Sequence, residues 1–173
     1  MARTNGTSTR GLSYTVPGLR KEDAATVVQM LQGRLNALNS LALVLKHIHW
    51  NVVGTHFIAV HTMLDPQVEA VRAMVDATAE RMATLGGSPV GTPAALAEAS
   101  TADYKLGRAD AIEHLRLLDE YYSTIIEAHR GGIVTTGKAD PVTQDMLIEQ
   151  TESLELFQWF VRAHLETGTG SLT

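Results

Sequence analysis

At 173 residues, 45% hydrophobic and 19% charged, the chain is one ordinary folded domain with enough length for a sizeable core. The absence of cysteine excludes disulfide scaffolds, thiolate zinc sites and cysteine nucleophiles, and is compatible with a reducing compartment. A net charge of −5 disfavours a dedicated nucleic-acid binder and mildly favours cations. No apolar run approaches the roughly 20 residues of a bilayer span, and the polar N-terminus lacks a signal-peptide core, so a cytoplasmic location is expected.

Only 5% of residues are aromatic, while Ala, Leu, Val, Glu and Gln recur, which favours helix over strand. Residues 1–20 carry Gly, Ser, Thr and Asn without periodicity and read as a flexible tail, weakly basic through Arg3 and Arg10. From Lys21 onward, Val27, Leu31, Leu35, Leu38, Ala42, Leu45 and His49 step by three or four, one face of a long first helix. His49 therefore falls on its buried stripe, and Gly54 closes the helix. A second period runs through Phe57, Val60, Leu64, Val68, Val71, Val75 and Met82 until Gly86, Gly87 and Pro89 stop it. Thr92 and Pro93 read as the cap and first position of a short helix, 94–99, within a long connection.

A third helix reads through Ile112, Leu115, Leu118, Tyr122, Ile125 and His129, with Gly131 and Gly132 predicted to end it. Asp140 is predicted to cap a fourth with Pro141 at its first position. Its expected face is Val142, Met146, Gln150, Leu154, Phe157, Val161 and Leu165, stopping at Gly168 before a short tail, 168–173. Residues 21–167 thus predict an all-α protein, a four-helix bundle with one long crossover carrying a short helix between helices two and three. Among known bundle topologies this is the ferritin-like arrangement. Periodicity gives the architecture and says nothing of activity.

Chemistry concentrates in residues 49–80, where His49, His61, Asp65, Asp76 and Glu80 bring two imidazoles and three carboxylates into otherwise apolar helix. At 100° per residue, His61, Asp65, Asp76 and Glu80 lie at about 0°, 40°, 60° and 100° on the second helix, so all four project from one side. Asp65 and Asp76 are nevertheless about 16 Å apart along the axis, far beyond the ~2 Å of a metal–ligand bond. One chain cannot close such a site. If two copies of this helix pack antiparallel about a two-fold axis near residues 70 and 71, His61 and Asp65 of one face Asp76 and Glu80 of the other, giving two equivalent sites. His49, shortly before the Gly54 turn, returns alongside the start of the second helix.

Each residue has a plainer role open to it. His49 alone would be a hydrogen-bonded core histidine. Asp65 before Pro66 reads as the cap of a helix restarting at the proline, and Asp76 with Glu80 as a solvated acidic pair. Five potential ligands converging on one inter-subunit position favour the joint reading.

The run His49, Trp50, Asn51, Val52, Val53, Gly54, Phe57, His61, Asp65, followed by Asp76 and Glu80, closely resembles the signature of the Dps miniferritins, the DNA-binding proteins from starved cells. The resemblance extends over residues 21–166. It implies a hollow dodecamer built from two-fold dimers that binds Fe(II) at intersubunit di-iron-type ferroxidase sites. It further implies oxidation preferentially by hydrogen peroxide, with dioxygen as the other oxidant, and storage of a ferric mineral core that protects DNA. By the same resemblance His49, His61 and Asp65 are ligands from one subunit and Asp76 and Glu80 from its two-fold mate, with Lys46 and Trp50 beside the site. Trp159 matches a tryptophan of the family's last helix, although a lone aromatic on an apolar face is expected in the core. The Glu-x-x-His motif of ordinary ferritins is absent, because Glu149, Glu152 and Glu155 have no histidine three residues on.

Asp140, Asp145, Glu149 and Glu152 make an acidic start to the fourth helix, a region that in the resembled family borders three-fold pores; favourable interaction with the helix dipole explains them equally well. Asp145 is the preferred pore candidate. Lysine-rich termini usually contact DNA in that family, whereas here only Arg3 and Arg10 are at hand, so DNA binding and nucleoid association are expected to be weak or absent. Two other readings use the same residues: a metal-dependent hydrolase of small amides or esters, and a DNA-condensing cage with a secondary iron role.

Overall fold

The computed structural model describes residues 12–99, 104–166 and 171–172. Four long helices, α1 (Lys21–Asn51), α2 (Phe57–Thr84), α4 (Ala111–Ala139) and α5 (Pro141–Leu165), pack with the short α3 (Pro93–Ala99) in the crossover. The all-α bundle read from periodicity is the fold observed. Helices α1 and α2 form one antiparallel pair and α4 and α5 the other, joined along the α1–α4 seam. No helix among the described residues is long and apolar enough to cross a membrane.

The predicted α1 stripe is buried along its whole length, from Val27 and Leu31 through Leu45 to His49. With Leu64, Val68 and Val71 of α2, Leu115, Leu118 and Tyr122 of α4, and Leu154 and Val161 of α5, its upper half builds the main core. Each fully buried leucine or valine contributes about 1.5 to 3 kcal/mol by area transfer. A second cluster around Val27, Leu31, Met82, Leu85 and Leu147 closes the other end, covered by Val16 and Leu19. Thr92 caps α3, its hydroxyl accepting from the Ala95 amide at 3.4 Å.

Three local expectations need correction. Gly131 and Gly132 do not end the third helix, since α4 continues to Ala139. A glycine costs a helix interior about 1 kcal/mol, but a Cβ on Gly132 would lie 3.2 Å from both Leu147 and Met30, so its absence lets α4 approach α5 and α1 closely. On α5 the buried stripe runs through Thr143, Leu147, Gln150, Thr151, Leu154, Gln158, Val161 and Leu165, one residue later than predicted in its first half. Val142 is 64% exposed, and Trp159, expected in the core, is 59% exposed. Buried polar groups displaced the apolar ones because they find partners: Gln158 donates to the Asp119 carboxylate at 2.7 Å and to the Ser123 hydroxyl at 2.8 Å.

A strand pairing also appears where none was read. Val52–Val53 (β1) pairs in parallel with Ala109–Asp110 (β2), tying the end of α1 to the start of α4. Gly54 adopts φ +94° there, which glycine adopts without strain, and any Cβ would collide with the Asp110 carboxylate. Asp110 caps α4, accepting from the Ile112 amide at 2.9 Å.

Candidate metal centre

The α1–α2 turn brings His49 and His61 face to face. Their rings stack with centroids 3.7 Å apart. The Nδ1 of His49 donates to the His61 carbonyl at 2.9 Å, and the Nδ1 of His61 donates to the His49 carbonyl at 2.9 Å. A carbonyl can only accept, so each ring donates from Nδ1, and in the neutral tautomer that this bond selects the Nε2 lone pair is free. Binding a ring N–H to a backbone carbonyl is the usual way a protein orients a metal-ligating histidine. Phe57, one turn before His61 on α2, packs against its ring with centroids 5.0 Å apart. Phe57 lies both on the apolar face and in the signature run quoted above; its contact with the His61 ring follows from their i, i+4 spacing.

Asp65 completes the group. Its Oδ1 lies 3.0 Å from Lys46 Nζ and 3.3 Å from His49 Nδ1. The hydrogen bond from Lys46 holds this carboxyl below the usual carboxylate range; burial opposes that shift, and the charges of His49, Lys46 and His61 reinforce it. Lys46 Nζ also sits 6.0 Å from the Trp50 ring, at the outer limit of a cation–π contact. Trp50 is 71% exposed on the same surface.

Pro66 does not restart the helix. Residues Phe57–Thr84 form one continuous α-helix with Pro66 inside it, so Asp65 is an interior residue rather than a cap. The proline removes a hydrogen bond that the Thr62 carbonyl would have accepted. Thr62 is exposed, so water can satisfy that carbonyl.

Asp76 and Glu80 are exposed further along α2. Among the described residues, no three His, Asp or Glu side chains of one chain converge tightly enough to hold a metal ion. His49, His61 and Asp65 lie together at the α1–α2 turn, with Asp76 and Glu80 about three to four turns beyond Asp65 on the same helix.

Of the acids at the start of α5, Asp145, Glu149 and Glu152 are exposed. Asp140 is not: it is 4% exposed and takes Arg81 Nη2 at 2.9 and 2.7 Å on its two oxygens. It occupies the cap position of α5, but its carboxylate engages Arg81 and the Thr143 hydroxyl in place of a helix amide. Its charge is thus paired with Arg81 inside the chain. Arg3 and Arg10 lie outside the described residues.

Comparison with known proteins agrees with this fold. Residues 28–170 match the ferritin-like domain family. The DNA protection during starvation protein of Mycolicibacterium smegmatis is 51% identical over 162 residues, covering 93% of this chain and 88% of that protein. The fine tangled pili major subunit of Haemophilus ducreyi is 52% identical over 164 residues, covering 94% of this chain and 87% of that protein. Among solved structures, DpsA14 from Streptomyces coelicolor superposes with a TM-score of 0.92 at 55% identity, covering 94% of this chain and 98% of that one. Mycobacterium smegmatis Dps gives a TM-score of 0.91 at 51% identity, covering 93% of this chain and 98% of that one. With residues 28–170 matching the family and relatives at about half identity over nearly the whole chain, the chain belongs to the Dps group of the ferritin-like family.

Proposed function

We propose that this protein oxidises Fe(II) at sites completed by a second copy of the chain, and that it stores the ferric product inside a dodecameric shell in the cytoplasm, protecting DNA from oxidative damage. The observation that carries this reading is the reciprocal His49–His61 pair, which leaves two Nε2 lone pairs beside ionised Asp65.

Iron is substrate and cargo here. Imidazole nitrogen and carboxylate oxygen form a donor set that accepts Fe(II), and anionic carboxylates stabilise the ferric product more than the ferrous substrate. His49, His61 and Asp65 of one subunit would face the partner's Asp76 and the partner's Glu80 across a two-fold axis. Hydrogen peroxide then takes one electron from each of two Fe(II); its O–O bond breaks and two protons complete two waters. Removing both electrons at one site avoids the hydroxyl radical that a single-electron step releases.

Lys46 keeps Asp65 charged and ready to ligate while the site is empty of substrate. Exposed Asp145 and Glu149 near the start of α5 are the candidates for drawing cations toward the interior. Several weak contacts from Arg3 and Arg10 in a multimer would give at most salt-sensitive DNA association.

The reading is tested by adding Fe(II) and then peroxide to the purified protein and following size-exclusion chromatography with light scattering. A particle of about twelve subunits that gains a ferric core is expected. A particle that binds no iron, or turnover of small amides lost on chelation, would sink it.

A further inference from the structure

Arg34 projects from the side of α1 that meets α4. Its Nε and Nη1 are sealed from solvent without an acceptor. Burial lowers the pKa of this guanidinium, and among the described residues no acid offsets it. A partly buried guanidinium with two sealed N–H groups and no acceptor loses hydrogen bonds it would make in water.

Beside it, a cavity of about 360 Å3 opens between α1 and α4, within the roughly 300 to 1,000 Å3 typical of small-molecule sites. Arg34, Asn36 and Ser40 line it from α1, and Tyr121 and Thr124 from α4; among the described residues no carboxylate faces it. Ala37 and Ile125 supply an apolar wall. The cavity therefore combines one cation, several neutral polar groups and an apolar side.

Two further orphan atoms lie behind the arginine. His129 Nδ1 donates to the Ile125 carbonyl at 3.0 Å, so its Nε2 is a bare acceptor, and both that atom and Gln150 Oε1 are buried without partners. Arg34 is close enough to His129 for its charge to oppose protonation of the ring. Sealed water molecules can satisfy these hydrogen-bonding atoms. Water carries no net charge, however, and leaves the guanidinium uncompensated.

We propose that the α1–α4 cavity binds a small monocarboxylate, with Arg34 as its counter-charge, the Asn36 amide and Thr124 hydroxyl as neutral donors, and Ala37 and Ile125 against its organic body. A planar carboxylate matches the guanidinium fork. A phosphate dianion would leave one negative charge unpaired, since the described lining offers a single cation. The site lies apart from His49, His61 and Asp65, and the inference does not depend on iron oxidation.

The test is calorimetric titration of the assembled protein with benzoate and propionate at neutral pH, with inorganic phosphate as the competing chemistry. Saturable carboxylate binding is expected, weakened at least about tenfold by Arg34→Gln, the loss of one charged hydrogen bond. Ala37→Leu fills the cavity while keeping the arginine and should abolish binding; it decides the matter if Arg34→Gln does not assemble. Peroxide-dependent Fe(II) oxidation should be unchanged by Arg34→Gln. No saturable binding to the wild type, binding unchanged in both variants, or phosphate bound as tightly as benzoate would each overturn the proposal.

Discussion

Arg81, near the end of α2, donates through Nη2 to both carboxylate oxygens of Asp140, the residue on which the chain turns from α4 into α5. Its Nε also reaches the Thr143 hydroxyl at 2.8 Å, so one side chain binds the α2 terminus to the α4–α5 corner. The side chains are only 15% and 6% exposed, so the pair is a buried one. Removing one partner of such a pair costs about 3 to 5 kcal/mol, because the other is left charged and buried. Arg81→Ala should lower stability by that order in denaturant titration, and unchanged stability would contradict the role. Burial pushes the Asp140 carboxyl up, but Thr143 and Arg81 outweigh it, and the group titrates below its ordinary value. Its contribution is therefore complete above the unfolded carboxylate value, about pH 4, and is lost as pH falls through the lower folded value.

If the iron site is shared between subunits, as proposed, complementation follows. Neither His61→Ala nor the double variant Asp76→Ala/Glu80→Ala should oxidise Fe(II) rapidly with peroxide. Unfolded together and co-refolded, the two should regain roughly a quarter of the wild-type rate: half the dimers are mixed, and each mixed dimer holds one intact site of two. Activity restored to zero in the mixture would show that all five residues act within one chain or not at all.

His129 predicts a second pH effect in a different window. Burial lowers this imidazole to about 4, helped by the charge of Arg34. Below the unfolded value of about 6.5 the unfolded chain takes up a proton that the folded chain refuses, so stability falls from about pH 6.5 down to about 4. The full effect is about 3 kcal/mol. Thermal melts of His129→Phe should show a flatter pH dependence across that interval, and a slope identical to wild type would refute it.

Adjacent glycines in α4 should respond oppositely to alanine. Nothing lies within 4 Å of a Cβ on Gly131, so Gly131→Ala should stabilise by about 0.5 to 1 kcal/mol through helix propensity. In Gly132→Ala the new methyl meets Leu147 and Met30, and that gain should vanish or reverse. Equal melting shifts for the two variants would contradict the packing described.

Asp145→Asn removes one exposed acid from the start of α5 while preserving shape. If this surface draws in iron, stopped-flow uptake should slow, most clearly at low ionic strength, with stability nearly unchanged. Identical uptake kinetics would remove Asp145 from the entry route.

The sequence by itself determined the bundle, because a stripe such as Val27 to His49 can be buried only as one face of a helix, and Gly54 marks where that helix must turn. It also placed His49, His61 and Asp65 near one another and separated them from Asp76 and Glu80, since helical rise is fixed by backbone geometry. Four things were decided by tertiary structure. Gly132 reads locally as a stop, and only the proximity of Leu147 and Met30 makes it a packing position. Asp140 reads as a free acid at a helix start, and only Arg81, 59 residues earlier, makes it a buried ion pair. The stripe of α5 is rotated because buried glutamine and threonine find partners on other helices, which apolar spacing cannot register. Finally, His49 and His61 become oriented imidazoles through bonds to each other's carbonyls. Residue type supplies two imidazoles, but the proton on each Nδ1 and the free lone pair on each Nε2 depend on the turn that sets the two backbones side by side.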